Sequence, residues 1–111
     1  MTNNDYTPTL LAAGQLANAK GTIYTVPTGM RAIIDSIVYY NTTGGALVCN
    51  TYVNNGSSRQ IDKTSVATIA RSIIVNRDAP IYLDAGNLIE GDTSSATSVN
   101  YFIFGQVKQK G

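Results

Sequence analysis

Residues 21–40, GTIYTVPTGMRAIIDSIVYY, decide the fold class. From Thr22 to Val26 nearly every side chain is β-branched or aromatic, the types that fit a pleated, half-buried surface. Pro27 ends that run because it has no N–H to give a ladder. It is expected to preset the second position of a turn, and Gly29, two residues on, supplies a site free of Cβ strain. Strand character resumes from Arg31 to Tyr40. There Ala32, Ile34, Ser36, Val38 and Tyr40 alternate with Arg31, Ile33, Asp35, Ile37 and Tyr39, and neither set is cleanly polar. A strand wetted on one side shows sharper alternation. The second face of this strand is therefore expected to meet another layer or another subunit.

Downstream the same grammar repeats. Asn41-Thr42-Thr43-Gly44-Gly45 is a turn whose glycine pair permits positive φ, and Ala46 to Val53 is the partner strand. Asn54-Asn55-Gly56 is the sharpest hairpin signal in the chain. Arg59 to Lys63 is polar, as edge segments are where charge discourages stray pairing. Ser65 to Asn76 fits a helical or a strand spacing, and its β-branched density favours strand. Short strands follow at Ile81–Leu83 and Leu88–Glu90. The last, Val99 to Val107, carries Val99, Tyr101 and Ile103 on one face and Phe102 and Phe104 on the other, so it is central or covered. Short strands separated by turn signals every eight to twelve residues predict an all-β antiparallel sandwich or jelly roll.

Upstream, residues 1–18 read as a lead segment and 19–111 as the sandwich domain. Pro8 biases Thr7 towards an extended backbone. Leu10, Leu11 and Leu16 either pack on the edge of their own sandwich or belong to an extended arm that lies on a neighbour, with Tyr6 and Leu10 or Leu11 as anchors.

The 111-residue length suits one domain with one core. Charged residues are 14% of the chain, well below a typical quarter, and the net charge is +1. Lys and Arg are scattered rather than clustered, which argues against nucleic acid. No apolar run is long enough to span a membrane, and the N-terminus does not read as a signal peptide, so synthesis and assembly in a cytoplasm are expected.

Catalytic chemistry finds few residues to work with. There is no His and a single Cys, Cys49, which lies in an apolar run and reads as a buried thiol. A His-dependent triad and the usual zinc ligand sets are excluded within one chain. Asp84, Glu90 and Asp92 fall within one turn-strand-turn unit; turn capping is the expected use, with a carboxylate pair or a Ca²⁺ site as alternatives. The expectation is a protein that is not an enzyme and has no cofactor.

The segments GQLANAKGTIYTVPTGM, YYNTTGGA and YLDAGNLIEGDTSSATSVNYFIFG, which together run from Gln15 to Gly105, resemble small β-sandwich structural proteins of tailed-phage virions. In those proteins a Leu-rich lead, a "TxYTVPxG" hairpin, an asparagine-ended strand and a "LxAGxxIxGxTS" turn follow one another in this order. The resemblance implies a virion protein that decorates or cements the capsid, with the major capsid protein or other virion proteins as partners. The weak alternation of the central strands adds the expectation of a homo-oligomer, and a virion setting favours a trimer. The alternative is a tail-fibre or baseplate module that recognises a host glycan. Tyr6, Pro8, Leu10, Leu11, Tyr39 and Tyr52 are the expected capsid or subunit contacts.

Overall fold

A computed structural model describes residues 9–76 and 78–109. Among them are nine strands: β1 (Thr9–Gln15), β2 (Gly21–Thr25), β3 (Met30–Asn41), β4 (Leu47–Asn54), β5 (Ser58–Val66), β6 (Ala70–Val75), β7 (Ile81–Leu83), β8 (Leu88–Thr93) and β9 (Val99–Gln109). Sheet A has the order β1-β9-β3-β6, with β7 also pairing β3; sheet B has the order β2-β8-β4-β5. All pairs are antiparallel and they nest: β4 with β5, β3 with β6 and β7, β2 with β8, β1 with β9. A nested set of this kind is one long hairpin folded across itself, a jelly roll. Strands β6 and β7 share one strand position, β6 opposite Ile37–Asn41 and β7 opposite Ala32–Ile34.

The all-β antiparallel sandwich expected from the sequence is the fold observed. The ambiguous stretch 65–76 divides into the end of β5, a turn and strand β6. That turn holds Ile69 at φ +44°, an uncommon backbone for a β-branched residue.

The confused alternation of β3 has a local cause. Its register against β9 slips between Ile34 and Ser36, so Asp35 is an extra residue in the strand. Inward positions are Ala32 and Ile34 before the bulge, then Ile37, Tyr39 and Asn41 after it. Gly105 faces the slip on β9, and a Cβ there would stand 2.1 Å from the Ile33 carbonyl oxygen. Only glycine lets the two backbones approach so closely.

Between the sheets, Ile34, Ile37 and Ile103 of sheet A meet Ile89, Cys49 and Val66 of sheet B, all fully buried. Each large aliphatic side chain removed from water in this way contributes about 1.5–3 kcal/mol. Asn41 ends β3 at the rim of this core. Its Nδ2 donates to the carbonyls of Gly45 (2.8 Å) and Val66 (3.1 Å), and its Oδ1 accepts from Thr43 N (2.9 Å). One buried side chain thereby fixes the β3–β4 turn and ties it to the end of β5.

Two expectations need correction. The turn after β2 runs from Pro27 to Met30, since Met30 N–H donates to the Pro27 carbonyl at 3.1 Å; Pro27 is its first residue rather than its second, and Gly29 takes φ +78°. Positive-φ glycines are Gly29, Gly56 and Gly86, so the Gly44-Gly45 turn is held by Asn41 and not by a left-handed backbone. Of the two readings of the lead segment, packing on the edge of its own sandwich is the one observed over its described residues. Thr9–Gln15 is the edge strand of sheet A, and Leu16 is 1% exposed in the core.

Candidate functional site

Each sheet has one face in the core and one turned outward, and the two outward faces differ in chemistry. On sheet A the cross-strand pairs Val38–Phe102 and Ser36–Phe104 point out, with Leu10 beside Phe104 and Ile73 beside Val38. Leu10, Ile73 and Tyr82 are 54%, 61% and 73% exposed. An open groove of about 340 Å³ lies among Val38, Tyr40, Arg71, Phe102 and Phe104. A second, of about 480 Å³, lies towards Tyr82, Arg31 and Lys108 at the other end of the strands. Contiguous apolar surface of this kind marks interaction sites more often than chance exposure does.

On sheet B most outward polar side chains bind one another, although Val48 and Ile61 are also exposed on this sheet. Asp92 accepts from Asn50 Nδ2 and from the Tyr52 hydroxyl, both at 2.8 Å. Glu90 accepts from Ser58 Oγ at 2.6 Å and from Asn54 Nδ2 at 3.4 Å. Gln60 Nε2 donates to Asn50 Oδ1 at 2.9 Å, and Lys20 donates to Ser58 Oγ at 3.1 Å while its Nζ stands 4.9 Å from the centroid of the Tyr52 ring. The bond to Asp92 raises the Tyr52 pKa above the usual phenol value, because ionisation would forfeit that bond and set a phenolate against a carboxylate; desolvation adds to it.

The expected site residues separate. Tyr6 and Pro8 lie outside the described residues. Leu10 is on the outer face of sheet A, whereas Leu11 turns partly into the core at a slip in the β1 register. Tyr39 is not a surface contact: it is fully buried, and its hydroxyl pairs with Thr51 Oγ1 at 2.5 Å. The bulge at Asp35 turns it inward. Burial drives its pKa strongly upward. Tyr52 belongs to the polar network of sheet B, so the expected contacts do not form one surface. The residues that do, Val38, Phe102, Phe104 and Ile73, were marked by one signal in the sequence, the aromatic bulk on both sides of Val99 to Val107.

The carboxylates do not form one site either. Asp84 Oδ1 accepts from Ala85 N at 2.8 Å, the expected turn cap, and stands 4.0 Å from Arg31 Nε. Glu90 and Asp92 bind side chains of β4 and β5 rather than turn backbone, which departs from the capping expected of them. Among the described residues no three His, Cys, Asp or Glu side chains are grouped to hold a metal ion. Cys49 is buried with Sγ 3.6 Å from Thr93 Oγ1, and burial raises its pKa, which keeps it a thiol.

Fold and surface together define a jelly-roll sandwich with one outer face centred on aromatic side chains and the other on a hydrogen-bonded polar network. No protein-family model matches the sequence, nor does any curated protein. Among solved structures, a protein of Bacillus endospore appendages, described as a novel family of disulfide-linked pili, superposes with a TM-score of 0.53 at 12% identity. The match covers 100% of this chain and 96% of that one. A chain of infectious bursal disease virus, Gx strain, matches at TM-score 0.40 and 10% identity over 90% of this chain and 32% of its own. At these identities the first likeness shows the fold alone.

Proposed function

We propose that the protein is a non-catalytic structural component of a tailed-phage virion that decorates the outer capsid and holds neighbouring capsid subunits together. The observation that carries this reading is the uncovered apolar face of sheet A. A domain of this size with a filled core has no internal use for Phe102, Phe104, Ile73 and Leu10 on its outside. The turn motifs shared with small virion sandwiches supply the setting. A homo-oligomer, a trimer favoured, suits attachment around the symmetry axes of a shell.

The pilus protein with the similar fold is also a part of an assembly, one described as disulfide-linked. Here Cys49 is fully buried, so it is not placed to join one copy to another, and contacts through this chain would be non-covalent. On sheet B the donors and acceptors around Tyr52 already serve one another, which leaves little for a sugar and weighs against the glycan-recognition alternative.

The test is to add purified protein to phage shells that lack it and to locate bound copies by cryo-electron microscopy. Regular copies over the icosahedral shell are expected. Copies confined to the tail, or none, would overturn the decoration reading.

A further inference from the structure

The charges that line the apolar face of sheet A are mostly positive: Arg31, Lys108 and Arg71 against one carboxylate, Asp84. Arg31 and Lys108 are direct cross-strand partners at one end, where like charges side by side are unfavourable unless something neutralises them. Arg71, opposite Tyr40, stands at the other end and lines the groove beside Phe102 and Phe104. All three are exposed. Asp84 lines the same groove as Arg31 and Lys108 and stands 4.0 Å from Arg31, so among the described residues that end keeps one uncompensated cation, while Asp35 is buried in the bulge. From Arg31 to Tyr40 is nine residues of strand, so the cations bracket the apolar strip over roughly 30 Å.

From this arrangement we infer, resting on the structural reading above, that the face docks a different protein whose contact surface is an apolar stripe with carboxylates at both ends. A second copy laid face to face would bring six cations together against only two carboxylates, the Asp84 of each copy. A lipid surface is the poorer fit, because the aromatic centre of the face, Phe102 and Phe104, is half-buried and lines a groove. A groove accepts protruding side chains, whereas bilayer insertion needs apolar groups that protrude themselves.

The experiment uses the full chain, ¹⁵N-labelled, titrated with a synthetic extended peptide of about twelve residues that alternates Leu and Thr and carries Glu at both ends. Amide shifts at Val38, Phe102 and Phe104 are expected with this peptide and not with its Lys-ended counterpart. Arg31→Glu with Lys108→Glu, both exposed and so compatible with folding, should weaken binding roughly tenfold. Equal response to both peptides, no response at millimolar peptide, binding to phosphatidylglycerol vesicles through the same amides, or an oligomer that dissociates on Phe104→Ser would each overturn the inference. Adding the charge-reversed protein to phage shells separates the two readings. Shells bound equally by wild type and variant would keep decoration and remove the acidic partner, whereas peptide binding with bare shells would do the reverse.

Discussion

The outer faces of the two sheets are built from the same kind of strand and end in opposite states. On sheet B, Glu90 and Asp92 each receive two side-chain hydrogen bonds from β4 and β5, so the polar centre of the face is satisfied in the single chain, with Val48 and Ile61 exposed beside it. On sheet A, Phe102, Phe104 and Val38 form an apolar strip that no other part of the described chain covers, with cations at its ends. Partnerless apolar area marks where a protein meets something else, and a self-satisfied polar sheet marks where it meets water. The two faces therefore differ in how far the chain satisfies its own outer surface.

The comparison breaks most severely at Gly105. The bulge at Asp35 decides that Tyr39 faces in and Val38 and Tyr40 face out, and Gly105 is what lets β9 follow it. Gly105→Ala places a methyl group 2.1 Å from a backbone oxygen, so one strand must move. A loss of about 2–3 kcal/mol is expected, read as a lower urea midpoint at unchanged slope. Gly44→Ala, with nothing within 4 Å of the new Cβ, should stay within about 0.5 kcal/mol. Equal effects at the two glycines would remove the bulge from the argument.

A smaller effect is expected from Tyr39, the residue the bulge turns inward. Tyr39→Phe leaves the Thr51 hydroxyl without this partner and should cost about 1 kcal/mol. It should also alter the alkaline limb of stability. Burial raises the folded-state pKa above the unfolded value near 10, so above that pH the unfolded chain loses a proton that the folded chain keeps. Stability then falls by about 1.4 kcal/mol per pH unit from this group alone. Below pH 10 the group contributes no slope. Denaturant melts from pH 9 to 11 should show a shallower decline in the Phe variant, and parallel declines would place the titrating group elsewhere.

The two faces should then part company under polar substitution. Ile73→Lys changes an edge side chain that is 61% exposed, so stability should move by no more than about 0.5 kcal/mol. Shell binding should nevertheless fall, because the substitution puts a charge into the apolar rim. Lys63→Ser on the outer face of sheet B should leave both unchanged. Binding lost in both variants, or in neither, would mean that the contact does not lie on sheet A.

Most of the fold was legible because strands and turns are local chemistry: β-branched runs, Asn-Gly, and Pro followed by Gly. The site was less so, for two physical reasons. Parity along β3 reads correctly up to Ile34 and inverts after Asp35, and a bulge depends on what lies opposite, here Gly105, which is remote in sequence. Tyr39, expected among the contacts, belongs to the core. Likewise, the pairing that brings Asn50, Tyr52 and Asp92 together is a tertiary event, so Tyr52 read as an exposed aromatic and Asp92 as a turn cap. Phe102 and Phe104 on the side opposite Ile103 were visible, yet only the strand order shows that no third layer lies over them.

The finest test of the contrast is the Tyr52 phenol, which reports whether the face of sheet B is satisfied in solution. Its O–H donates to Asp92 Oδ2 at 2.8 Å, and ionisation would replace that bond with two adjacent anions. The hydrogen bond is the leading cause of the upward shift, so removing the charge on Asp92 should lower the Tyr52 pKa towards its ordinary value near 10. Asp92→Asn keeps an acceptor oxygen and should lower it in part; Asp92→Ala should lower it further. Ring-labelled tyrosine followed by NMR through alkaline pH resolves this residue from the other tyrosines. A Tyr52 titration indifferent to both substitutions would mean that the bond does not form, and that the polar face is as open to partners as the apolar one.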